Sequence, residues 1–72
     1  MAIQMHQVQS SNLQEVGYDP DTKILRVVFK GGGAYEYTGV PDIIAEGMMR
    51  TSSHGKFFNE VIKRGGYPFR KL

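Results

Sequence analysis

The sequence predicts an α+β domain: a three-stranded antiparallel meander, then two helices packed on one face, then an extended C-terminal tail. Three observations predict it. From Lys23 to Tyr37 side chains alternate with a period of two on either side of Gly31-Gly32-Gly33, the mark of two strands joined by a tight turn. After Val40 the apolar spacing becomes helical. Strand signals precede helix signals without interleaving, which is the order of an α+β fold rather than of βαβ units.

Residues 1–9 read as a weakly patterned N-terminal extension, and residues 10–72 as the domain. Within the extension, Ile3 and Met5 alternate with polar neighbours, the pattern of a short extra strand. Leu13 to Tyr18 is the first strand, with Val16 and Tyr18 on one face and Leu13 and Glu15 on the other. Asp19-Pro20-Asp21-Thr22 is a turn, because proline sets φ and aspartate hydrogen-bonds its own backbone. Loop length then decides where Tyr35 and Tyr37 point. A loop of Gly31 and Gly32 sets Tyr35 opposite Val28. A loop of all three glycines sets Phe29 opposite Tyr35 and Val27 opposite Tyr37. The second register gathers Leu25, Val27, Phe29, Tyr35 and Tyr37 on one apolar face, and it is the expected one; a one-residue slip moves the whole set.

Helices are expected near residues 41–49 and 54–64. Pro41 suits a first helical position, where its missing N–H costs nothing. Asp42 and Glu46 favour the early part of the helix dipole, and Ile43, Ile44 and Met48 supply the stripe. Gly47 allows close approach of another backbone. Thr51-Ser52-Ser53 breaks the chain and offers an N-cap. Phe57, Phe58, Val61 and Ile62 form the second stripe, and Gly65-Gly66 is a helix stop. Tyr67 to Leu72 is an extended tail whose Tyr67 and Phe69 can pack back on the domain.

The chain has 72 residues and no cysteine, so one thin core stands without disulfides or thiolate metal sites. Hydrophobic residues make up 40% and charged residues 22%, an ordinary globular balance rather than a disordered one. No apolar run approaches the roughly 20 residues that span a bilayer. The first residues are too polar for a signal-peptide core, so a cytoplasmic protein without membrane association is expected. The net charge of +2 is unevenly placed. Before Arg50, Lys23, Arg26 and Lys30 face six acids; from Arg50 onward six bases face Glu60 alone. A basic C-terminal third points to an anionic partner, unless those side chains are simply solvated.

Ser52-Ser53-His54-Gly55-Lys56 resembles a phosphate loop but fails its pattern, having Arg50 where the first glycine belongs and Phe57 where Ser or Thr belongs. What survives is a helix start at which Ser53, Gly55 and Lys56 hold an anion, against plain capping. His6 and His54 lack metal-ligand spacing, no cofactor motif is present, and no catalytic constellation appears, so no enzyme is expected. Glu36 reads as an exposed, solubilising strand residue. Tyr35, Tyr37, Tyr67 and Phe69, near Arg64, Arg70 and Lys71, combine stacking faces with cations as single-strand binders do; the plainer reading of Tyr35 and Tyr37 is core.

Taken in order, Ser10-Ser11, Gly17-Tyr18-Asp19, Leu25 to Phe29, Tyr35-Glu36-Tyr37, Val40-Pro41 and Ser53 to Asn59 with Ile62 resemble the KTSC domain. That module is found at the C-terminus of some lysyl-tRNA synthetases and also as a small stand-alone protein. The resemblance covers about Ser10 to Leu72. It implies a suggested RNA-binding role, drawn from the neighbouring synthetase domain, and it carries over no catalytic residue. The expected function is a non-enzymatic binding module for RNA or another polyanion. Lys56, Lys63, Arg64 and Arg70 would contact phosphates, and the rims of Tyr35 and Tyr37 would stack. The alternatives are a protein–protein or self-association module, and a small-nucleotide binder at Ser53, Gly55 and Lys56.

Overall fold

In the computed structural model, which describes residues 3–72, the meander is wider than its pattern predicts. Strands β1 (Met5–Gln7), β2 (Leu13–Asp19), β3 (Ile24–Phe29), β4 (Ala34–Thr38) and β5 (Phe69–Lys71) pair antiparallel in the order β1-β2-β3-β4-β5. The expected three strands are the middle three. Both additions are three-residue edge strands: β1 is the short extra strand that the alternation of Ile3 and Met5 suggested, and β5 lies in what was expected to be an extended tail. The N-terminal extension is thus part of the sheet through β1, while Met1 and Ala2 lie outside the described residues. Gly17 makes room for β1: a Cβ there would sit 2.6 Å from Gln4 O and from Met5 Sδ.

The central hairpin keeps the expected faces but shifts by two residues. Val28 pairs with Ala34, Val27 with Tyr35 and Leu25 with Tyr37, so the loop is Lys30-Gly31-Gly32 rather than the three glycines. Gly33 is drawn into the ladder, where its carbonyl accepts from Phe29 N–H at 3.0 Å. Gly31 takes φ 75°, which a side chain would resist. An even shift conserves the faces, and Phe29, Tyr35 and Tyr37 stay together. In β2 the expected faces do change. A bulge between Leu13 and Glu15 brings Leu13 to the same side as Val16, and both are fully buried.

Helix α1 (Asp42–Arg50) begins one residue later than expected. Pro41 stands outside it as the extended N-cap, and its carbonyl accepts from Ile44 and Ala45 N–H. The buried residues of α1 are Ala45 and Met48, with Ile44 half-buried, whereas Ile43 is 75% exposed and is not part of the stripe. Small Ala45 lets α1 settle on that side. Gly47 makes room for the Phe57 ring rather than for a backbone, since a Cβ would meet that ring at 2.7 Å.

The second helix spans 54–63. It begins as α2 (His54–Phe57) and continues without a break as a π-helical stretch, Phe58–Lys63, where a regular α-helix was expected. Gly65 N–H closes on Ile62 O, and Gly66 at φ 74° ends the helix as expected. Phe58 and Ile62 enter the core, joining Leu13, Val16, Leu25, Val27, Tyr37, Val40, Ala45 and Met48. Both helices thus cover one face of the sheet and leave the other open. No helix among the described residues is long and apolar enough to cross a membrane.

Candidate functional site

Alternation along β4 sends Tyr35 and Tyr37 to the helix-covered face and Glu36 to the open one. On the covered face, Phe29 of β3, Phe58 of the second helix and Phe69 of β5 join the tyrosines in a continuous aromatic cluster. Phe29 meets Tyr35 edge-on at 5.7 Å and Phe58 at 5.4 Å. Tyr37 meets Phe58 edge-on at 5.5 Å, and Phe69 tilts over Tyr37 at 5.3 Å and Tyr35 at 6.1 Å. The edge-on geometry is the one ring quadrupoles favour.

The cluster has a buried side and an open side. Tyr37 is only 6% exposed, and burial raises the pKa of its phenol. Phe69 is 62% exposed and Tyr35 half-buried, so their ring faces meet solvent. Between them and the second helix runs a groove of about 420 Å³, also lined by Asn12, Asn59 and Lys63. Lys71 pairs with Tyr35 in register, and its chain crosses Gly33, where a Cβ would lie 3.2 Å from Lys71 Cε. Among the described residues, no acidic residue lines the groove. Its lining therefore offers apolar ring faces, amide groups and the Lys63 cation, with Lys71 beside Tyr35 at its margin.

On the open face, one row of the sheet crosses all five strands: Met5, Gly17, Arg26, Glu36 and Arg70. Glu36 is 5% exposed, not the solvated strand residue its position implied. Its Oε2 accepts from Arg26 Nε at 3.0 Å; its Oε1 accepts from Arg70 Nε at 3.2 Å and Nη2 at 3.0 Å. The Arg26 hydrogen bonds above all hold the carboxyl below its usual range, outweighing the burial that raises it, with Arg70 assisting.

The residues singled out from sequence therefore separate. Tyr35, Tyr37 and Lys63 meet in the groove. Lys56 is exposed three residues before Asn59, and Arg64 is exposed just past the π-helical stretch. Arg70 belongs to the opposite face and is held by Glu36. Ser53 makes no side-chain cap; its N–H donates to Thr51 Oγ1. The open side of Gly55 is filled from within the chain, as a Cβ would lie 2.7 Å from Asn12 Oδ1. Tyr67 packs against Gly65, outside the groove lining. Phe29, Phe58 and Asn59 were not read as site residues, and only the hairpin register and helix docking reveal them.

Two further clusters lie elsewhere. The Tyr18 hydroxyl donates to Val40 O and lies 2.9 Å from Asp42 Oδ1, which accepts from Lys23 Nζ at 2.8 Å. Burial first, and then Asp42, push the Tyr18 pKa up to about 12, while Lys23 and Tyr18 lower that of Asp42. His6 and His54 line one cleft with Met49 and Ser52. Among the described residues, no group of three His, Cys, Asp or Glu side chains gathers to hold a metal.

The family model described as KTSC domain matches residues 9–67. The chain belongs to the KTSC domain family. A crystal structure of a KTSC domain protein from Yersinia pestis superposes with a TM-score of 0.92 at 41% identity, covering 99% of each chain. An uncharacterised protein of Stutzerimonas stutzeri is 37% identical over 65 residues, 90% of this chain and 92% of that one. A lysine–tRNA ligase of Nostoc punctiforme is 31% identical over 72 residues, all of this chain but only 13% of the ligase. The family match stops short of β5, so Phe69, Arg70 and Lys71 of this KTSC domain lie beyond it.

Proposed function

We propose that this KTSC domain is a non-enzymatic, cytoplasmic module that binds single-stranded RNA in the aromatic groove. One observation carries the reading: the rings of Tyr35 and Phe69 stand in a groove lined by Lys63, with Lys71 paired beside Tyr35 and, among the described residues, no acid in the lining. Unstacked bases are held by stacking on aromatic faces, and the intervening phosphates by cations. The amides of Asn12 and Asn59 supply hydrogen-bonding groups for base edges. The likeness to a segment of lysine–tRNA ligases supports an RNA partner by association. The start of the second helix supports a nucleotide less well, because Asn12 already fills the space beside Gly55.

The test is fluorescence anisotropy with short single-stranded RNA. Stacking on one aromatic residue contributes about 1–3 kcal/mol, so Phe69→Ala weakens binding roughly 5- to 150-fold. Phe69 is largely exposed, so the fold survives this change. Wild-type affinity for Phe69→Ala and Tyr35→Ala would overturn the reading.

A further inference from the structure

Strand β5 raises a question of its own: what holds it. It is three residues long, and all three side chains are exposed. Its backbone is anchored at both ends, by Thr38 N–H to Pro68 O and by Leu72 N–H to Ala34 O, each at 2.8 Å. A short edge strand with so little burial has few apolar contacts to resist fraying. Yet Phe69, the most exposed ring of the groove, stands on this strand. The remaining tie lies on the other face, where Arg70 reaches inward to Glu36.

We infer that the Glu36 carboxylate latches β5 through Arg70 and so positions the Phe69 ring in the groove. Exposed ion pairs are usually weak, but this one is anchored on a nearly buried acid. The Arg70 guanidinium gives Oε1 two charge-assisted hydrogen bonds, while Arg26 occupies Oε2. Without Arg70, Oε1 loses both bonds, and a desolvated carboxylate oxygen without donors is costly. The register completes the linkage: Glu36 opposite Arg70 sets Tyr37 opposite Phe69, so one strand carries the latch on one face and the ring on the other. Arg70 thus acts through position, not as a phosphate contact. The last step, from ring position to binding, rests on the RNA reading above; the latch itself does not.

The test is Arg70→Gln, followed by amide hydrogen exchange and RNA binding. Thr38 N–H, which reports β5 directly, should exchange at least tenfold faster, while the amides pairing β2 with β3 keep their rates. Arg70→Lys, which keeps the charge but loses the planar fork, should fall between. RNA affinity should drop about as far as in Phe69→Ala, and adding Phe69→Ala to Arg70→Gln should cost little more. An unchanged Thr38 rate would overturn the latch, all the more so if the salt dependence of binding flattened by about 0.7 as for a lost phosphate contact. A faster Thr38 rate without any RNA binding by the wild type would uphold the latch and reject the RNA reading alone.

Discussion

Removing the Phe58 ring perturbs the core and the groove floor together. Phe58 is 3% exposed and meets both Phe29 and Tyr37 edge-on. A buried Phe→Ala change costs about 3–5 kcal/mol in lost transfer energy and cavity. Two edge-on ring pairs, each about 0.5–1.5 kcal/mol beyond area, place this site in the upper half of that range. A 72-residue domain has on the order of 4–11 kcal/mol in total, at about 0.05–0.15 per residue. Phe58→Ala therefore removes a third or more of the stability, and unfolds the domain if its stability is at the low end. Urea unfolding followed by circular dichroism reads this directly. With a slope near 1 kcal/mol/M, typical of small domains, the midpoint falls by about 4 M or more. Phe58→Leu, which keeps most of the volume, should fall much less. A Phe58→Ala midpoint within about 0.5 M of wild type would refute the assignment of Phe58 as the joint between helix and sheet.

Gly17→Ala drives a methyl group into Gln4 O and Met5 Sδ, and should cost on the order of 1–3 kcal/mol while freeing β1; exchange at Val8 N–H, which bonds Gln14 O, reports it, and an unchanged rate would contradict the packing. The Tyr18 pKa is raised, so the stability it contributes is full below the unfolded value of about 10 and is lost as pH rises through about 12. In alkaline spectrophotometric titration the late tyrosinate absorbance should shrink by one tyrosine in Tyr18→Phe, the remainder coming from buried Tyr37, and an unchanged late amplitude would reject the assignment.

The middle of the fold was legible because its signals are long. Strands β2 to β4 show alternation across a glycine turn, and the helices carry stripes between clear stops. What escaped was set by single residues or by distant contacts. Strand β5, with three residues, holds too few positions to show a period, whereas β1 was hinted at by the alternation of Ile3 and Met5. The bulge that turns Leu13 inward leaves no local trace, and neither does the π-helical winding of Phe58–Lys63. Ile43 outranks Ala45 on any hydropathy scale, yet Ala45 is the one that packs. Half of the candidate site was visible as the Tyr35–Tyr37 pair and the basic C-terminal third. The division of those bases between two faces was not, because it depends on the register of β5 against β4. That register turns Arg70 toward Glu36 and leaves Lys71 beside Tyr35, while the second helix brings Lys63 to the rings.

The salt dependence of RNA binding tests the central claim most directly. Each phosphate neutralised on a single strand contributes about −0.7 to the log–log slope of affinity against salt. With Lys63 and Lys71 at the groove and Lys56 along the helix, the slope should be roughly −1.4 to −2.1, and Lys63→Gln should flatten it by about 0.7. Anisotropy of a short single-stranded RNA, titrated from about 50 mM salt upward, gives both numbers. No binding at the lowest salt, or binding indifferent to salt and to Lys63, would contradict the account.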